Sequence, residues 1–212
     1  PWPRIILIYL FGVFGMMVVS AALPALRGIA AEFHPPSPAT IGWVMSVPAL
    51  AAALASLGIG ALVDRFGDRR MMLIGIVIFT AASILAGLAP SGDLLILARL
   101  VQGVGGAMVL PTTLSLINAT FRGRERGIAF AVWGSTIGGM VAVGPLLGGW
   151  LTTAFSWRWA FGINVPLGII IFIGVLLTVT ESREARYGKI DFLGAALSVL
   201  IFGPLVFGLI EG

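Results

Sequence analysis

The sequence predicts an all-α, polytopic membrane protein, and three observations carry that expectation. Of the 212 residues, 58% are hydrophobic and 10% charged, with a mean hydropathy of +1.06, more apolar surface than one water-soluble core can hide. The apolar residues fall in runs near the ~20 residues needed to cross the hydrocarbon, parted by short charged or proline-bearing connections. The runs lack the alternating polarity of barrel strands, so their backbone groups must be satisfied within helices.

Taken in order, span one covers about residues 5–26. It is too long, and too closely followed by similar runs, to be a cleaved signal peptide, and no A-x-A site follows it. The connection RGIAAEFHPPSPAT, read as a loop, leads to span two at about 39–63. The charged turn GALVDRFGDRRMML, Gly60 to Leu73, brings the chain to span three at about 71–89. Span four (about 93–120) carries Arg99 inside it, and span five (about 126–152) contains WGSTIGGMVAVGPLLGGW. Span six (about 159–180) follows SWRW, and the charged link ESREARYGKID separates it from span seven (about 192–210). Span one ends in AALP (Ala21 to Pro24) and span four contains MVLP (Met108 to Pro111), a faint correspondence between two triplets of the kind that inverted-repeat transporters show. The expected organisation is a six-helix bundle over 1–180, a cytoplasmic charged link over 181–190 and the start of a further linker helix over 191–212. Because the chain begins at Pro1 and stops just after span seven, it is expected to be a fragment that lacks a C-terminal bundle.

Basic residues set the orientation. With the N-terminus cytoplasmic, Arg4, Arg65, Arg69, Arg70, Arg122, Arg124, Arg126, Arg183, Arg186 and Lys189 lie inside, Arg27 and Arg158 lie outside, and Arg99 is within the membrane. The net charge of +4 then reflects topology and attraction to anionic headgroups. Nucleic acid is excluded as a partner, since no basic run carries interleaved aromatics. Trp43, Trp150, Trp157 and Trp159 fall near outer ends, where indoles anchor a helix at the interface. There is no cysteine, and His34 is the one histidine, so neither a histidine triad nor an H-E-x-x-H zinc site can be built. The GVGG at Gly103 to Gly106 lies in an apolar helix with no preceding strand, unlike a nucleotide loop. An enzyme is not expected, and neither a cofactor nor a metal is implied.

Single residues point to specific roles. An arginine inside a span costs ~2.5–3.5 kcal/mol on insertion scales and usually faces a cavity or a partner, which makes Arg99 a functional candidate. In span five, Gly134 and Gly138, then Gly144 and Gly148, recur four apart along one face, where small residues allow close backbone packing, and Pro145 bends the helix.

Four stretches together resemble the major facilitator superfamily. Gly60, Leu62, Asp64, Arg65, Gly67, Arg69 and Arg70 resemble its G-x-L-x-D-R-x-G-R-K/R-R/K loop between helices two and three. Arg99, Gln102, Gly103 and Gly105 resemble the fourth-helix R-x-x-Q-G motif, and Gly144, Pro145, Gly148 and Gly149 the G-P-x-x-G-G motif of its antiporters. Ser156 to Gly168, with Trp157, Arg158, Trp159, Asn164 and Pro166, is similar to the segment entering helix six in the fourteen-helix drug:proton antiporter family. Three departures stand out: Met140 replaces a family glycine, Gly15 and Ser20 replace the first-helix aspartate and asparagine, and Asp68 replaces a basic residue.

The resemblance implies an exporter of drug-like or lipophilic small molecules in exchange for protons, working by alternating access in a bacterial plasma membrane. Asp64 and Arg65 would latch two halves at the cytoplasmic face, Arg99 would serve proton coupling with Gln102 and Gly103 beside it, and the span-five motif would form a sealing hinge. Gly60 is expected to admit a neighbouring helix, Gly67 to permit a tight turn, and Asp64 to accept hydrogen bonds from a helix N-terminus. Asp68 is expected to weaken the latch or to pair with Arg65 or Arg69. The second bundle is expected from the missing C-terminal half in preference to a second copy. No acid falls in the middle of any span, so proton coupling has to use a peripheral acid such as Asp64 or Asp93, an acid outside this segment, or be absent. Two other classes stay open: a proton-independent lipid or metabolite transporter, and a non-transporting sensor or scaffold of the same fold.

Overall fold

A computed structural model describes residues 23–33 and 38–179. The greater part of span one, His34, the charged link and span seven fall outside the described residues. The described elements are all helical: α1 over 23–32, then α2 (Pro38–Phe66), α3 (Asp68–Gly87), α4 (Gly92–Thr120), α5 (Gly123–Ala154), α6 (Trp159–Gly162) and α7 (Asn164–Thr178). Helices α3, α4, α5 and the joined unit Trp159–Thr178 are each long and apolar enough to cross a membrane; α2 makes a fifth span if its halves, Ile41–Ser56 and Gly58–Phe66, bent by 57°, count as one.

Two connections differ from expectation. The segment after span one was read as a loop from residue 27, but α1 continues to residue 32. Ala25 and Ile29, one helical turn apart, are fully buried, so an inward-facing stripe sustains the helix. The Gly60–Leu73 turn is also mostly helix. Gly67 is the one residue between α2 and α3, with φ 90° and ψ 153°, a conformation that only glycine adopts without strain. Asp68, Arg69 and Arg70 consequently form the first turn of α3, where an acid suits the positive end of the helix dipole.

Lipid offers helices no hydrophobic reward for associating, so close packing and buried polar contacts have to hold the bundle. Helix α4 packs against both α3 and α2, and α3 also packs against α6 and α7. Gly75 and Gly105 make the α3–α4 crossing possible: a Cβ on Gly75 would stand 2.7 Å from Met108 Cβ, and one on Gly105 2.7 Å from the Phe79 nitrogen. Toward the start of α3, Met72, Ile76 and Phe79 interlock with Val109, Leu116, Ile171 and Val175. Toward the end of α3, Ala25, Ile29, Val44, Ala86, Leu95, Ala98, Trp157 and Phe161 form a second cluster. Helix α5 is peripheral, burying Ala129, Thr136, Gly144, Gly148 and Leu151. Of the glycine face expected in span five, Gly144 and Gly148 are buried, and no described atom lies within 4 Å of a Cβ placed on Gly134 or Gly138.

Candidate functional site

Arg99 lies seven residues into α4, roughly 10 Å along the helix at 1.5 Å per residue, and its side chain is sealed, at 2% exposure. It does not snorkel to the surface. Its Nε donates to the Val44 carbonyl at 3.1 Å and its guanidinium nitrogen to Gln102 Oε1 at 2.6 Å, with the guanidinium carbon 5.6 Å from the Phe161 ring centroid. Gln102 Nε2 donates onward to Ser83 Oγ at 2.7 Å, Ser83 donates to the Phe79 carbonyl, and Asn164 Nδ2 donates to Ser83 Oγ at 3.4 Å. One polar chain thus ties α2, α3, α4 and α7 together, and among the described residues it meets the arginine charge with dipoles and a ring face. Asn164 Oδ1 and Thr80 Oγ1 are buried without a hydrogen-bond partner among the described residues.

The Val44 contact has a covalent cause. Pro48 has no N–H, so the carbonyl four residues earlier loses its helical partner, and in a bilayer an orphaned carbonyl costs several kcal/mol unless a neighbour supplies a donor. That carbonyl belongs to Val44, and Arg99 is the donor. Gly103, one turn along α4, lets the backbones touch there: a Cβ would collide with the Pro48 carbonyl and stand 2.9 Å from Ala51 Cβ.

At the end of the bundle where α3 finishes and α6 begins, Trp157, expected as an interface anchor, is placed otherwise. It is buried at 4% exposure, whereas Trp43, Trp150 and Trp159 are at least half exposed. Its indole N–H donates to Glu32 Oε2 at 2.6 Å, and Arg158 donates to Glu32 Oε1 at 2.5 Å while lying 4.6 Å over the indole ring. The Trp157 hydrogen bond, followed by Arg158, holds the Glu32 carboxyl below its ordinary value. Arg158 also donates to the Gly87 and Ala89 carbonyls at 2.8 and 3.1 Å, covering the C-terminus of α3. Beside this clasp, a cavity of ≈ 230 Å³ opens between α3 and the α6–α7 unit, lined by Ser83, Ile84, Leu88, Arg158, Trp159 and Val165 among others.

At the opposite end, where α3 begins, Arg69 donates to the Leu176 carbonyl of α7 at 2.9 Å. Asp68 is 6% exposed and accepts from Ser115 Oγ of α4 at 2.8 Å, a packing contact that the expected pairing with Arg65 or Arg69 did not foresee. Asp64, Arg65 and Arg70 are exposed, with Arg65 5.5 Å from the Phe66 ring. The close approach expected at Gly60 is not made among the described residues: nothing lies within 4 Å of a Cβ there. In span five, Gly149 lies 4.0 Å from Pro24 of α1, measured from a built Cβ, and Pro145 sits inside the helix. Pro166 falls in the first turn of α7, where its missing N–H has no helical partner to lose.

The structure therefore joins Arg99 and Gln102 to Asn164, Gly103 to α2, and Trp157 to Arg158, while the Asp64 cluster stands apart on the opposite face. Ser83 and Glu32 were not foreseen. Glu32 left a signal, as the one acid before Asp64 and on the same side as Arg158 in the expected threading; Ser83 left none.

An antiparallel helical bundle sealed around a buried arginine and pinned at both faces defines a polytopic membrane protein of transporter type. Residues 5–210 match the Major Facilitator Superfamily, and the chain belongs to that family, one of transporters rather than enzymes. It is 38% identical over 199 residues to the lincomycin resistance protein of Streptomyces lincolnensis, covering 92% of this chain and 39% of that protein. It is likewise 38% identical to the multidrug efflux pump LfrA of Mycolicibacterium smegmatis, covering 89% of this chain and 37% of the pump. The chain thus spans well under half the length of these curated relatives. Among solved structures, the peptide transporter POT in complex with sulfate superposes with a TM-score of 0.74 at 12% identity, over 97% of this chain and 45% of that one, which establishes the shared fold.

Proposed function

We propose that this chain forms the first half of a proton-coupled exporter of drug-like or lipophilic small molecules in a bacterial plasma membrane, working by alternating access against a second bundle. The observation that carries the reading is Arg99, a cation held at 2% exposure inside a membrane helix, which is costly to keep unless it serves function. The resistance and efflux proteins among the relatives support export, and their greater length supports a second bundle from the rest of a longer chain. Residues 1–180 are the first bundle, 181–190 the cytoplasmic link and 191–212 the start of a linker helix, as in the fourteen-helix branch. Asp64 and Arg65, exposed beside the Gly67 turn, are free of the packing that fixes Asp68, which suits a latch that forms in one facing state and breaks in the other. The Gly134 and Gly138 edge of α5 is the natural seat for a helix of the second bundle, where the hinge motif of Gly144, Pro145, Gly148 and Gly149 would seal the cavity.

The missing first-helix acid, Gly15 in this chain, supports a second reading in which transport ignores protons. Proteoliposomes of the full-length protein, loaded with a lipophilic dye and given an imposed pH jump, separate the two. Dye flux that follows the jump, and falls in Asp64→Asn at equal reconstitution, is the expected result. Flux without pH dependence establishes the second reading, and no flux at all removes transport.

A further inference from the structure

We infer that Pro48 and Arg99 form one hinge unit, in which Arg99 is a removable pin in α2. On the α2 side the covalent structure deletes a rung: Pro48 cannot donate to the carbonyl of Val44. On the α4 side Arg99 Nε fills it at 3.1 Å, positioned by Gly103 seated against the Pro48 backbone. With the pin in place, Ile41–Ser56 runs on through the proline as one helical piece. A side chain differs from a backbone N–H in one respect that matters: it can leave. If Arg99 turns to another acceptor, Val44 loses its donor, and the interrupted helix is free to bend at Pro48. Helix α2 ends at Phe66, beside Asp64 and the Gly67 turn, so a bend at Pro48 redirects the charged face that α2 carries to the other side of the membrane. Pro48 and Arg99 are thus positioning residues. Their place in the cycle rests on the transporter reading; their coupling to each other does not.

A double-mutant cycle on the full-length protein tests this, with Pro48→Ala, Arg99→Gln and the pair. Alanine at 48 restores the N–H that Val44 lacks, so Arg99 becomes dispensable to α2. In detergent, Arg99→Gln is expected to lower the unfolding midpoint by several degrees in the native background and by much less in the Pro48→Ala background, the non-additivity that a direct coupling produces. Equal shifts in both backgrounds overturn the unit. In proteoliposomes, Pro48→Ala alone is expected to keep or raise the midpoint while slowing turnover several-fold with little change in KM, because the backbone N–H that replaces the pin cannot be withdrawn; a purely structural proline would not separate stability from turnover in this way. Unchanged turnover in Pro48→Ala overturns the hinge. If the native protein moves no dye, the transporter reading fails, and the midpoint cycle still decides whether the two residues are coupled.

Discussion

At Gly103 the absent side chain lets α4 meet α2. A methyl there would collide with the Pro48 carbonyl and press on Ala51, and because the obstruction is backbone, it cannot rotate aside. Gly106, three residues on in the same helix, faces open space among the described residues. The two positions share a helix and a residue type, so propensity is matched and packing alone separates them. Gly103→Ala is expected to cost ~1–3 kcal/mol, the usual cost of overpacking, and to weaken the Arg99–Val44 contact by pushing the helices apart; Gly106→Ala is expected to be neutral or slightly stabilising. Thermal unfolding in detergent checks this, and equal effects at the two sites would remove Gly103 from the α2 contact. Arg99 itself was legible in the sequence because a lone cation in an apolar run has few benign explanations. Gln102 was legible beside it, but its other contacts were not: a main-chain carbonyl freed by a proline 51 residues earlier, and the serine on another helix that Gln102 reaches, leave no pattern along the chain.

Spans three and six hold each other by their ends. Arg158, just before α6, covers carbonyls at the end of α3, and Arg69, in the first turn of α3, covers one at the end of α7. Each antiparallel partner thus supplies the cation that the other's C-terminal dipole favours. Between the clasps, Gly168 seats Thr80 and Ser83 meets Asn164, so the pair should move as one body. Glu32 adds α1 to the Arg158 clasp. Its carboxyl is held below the ordinary value of about 4.3 by Trp157 first and Arg158 second. A depressed folded-state value means that the contribution is fully present above about pH 5 and is lost as the pH falls through that lowered value. Since Glu32 is 43% exposed, solvent screening keeps the effect small. The unfolding midpoint of the native protein should therefore fall more steeply than that of Glu32→Gln below about pH 4; parallel curves would show that the clasp does not sense protonation. Hydropathy placed spans two to six within about three residues of their observed ends, since each run must cover the same thickness of hydrocarbon. It failed where polar residues are helical, at Asp68–Arg70 and at the 27–32 continuation of α1, because a first turn or an interfacial turn can be charged on one side and packed on the other.

The described molecule is lopsided: α4 is wrapped by α2 and α3, while α5 leaves most of its length uncovered. With no hydrophobic drive between helices in lipid, such a surface is stable in the bilayer without a partner and still available to one, as the proposed alternating access against a second bundle would require. The same asymmetry fixes which face is which only once orientation is known, and the arginine distribution argues for a cytoplasmic N-terminus. In that frame the Glu32–Trp157–Arg158 clasp faces outward and Asp64 inward. These 212 residues contain no cysteine, so a single cysteine introduced among them is read against the parent protein without it. Pro90, exposed between α3 and α4, and Arg124, exposed in the first turn of α5, sit on opposite faces because α4 crosses between them. In intact cells, Pro90→Cys should react with a membrane-impermeant maleimide, and Arg124→Cys should react only after permeabilisation. The reverse pattern would invert the molecule and move the outer clasp, with its titrating glutamate, to the cytoplasmic face, where a latch built on Asp64 could no longer act.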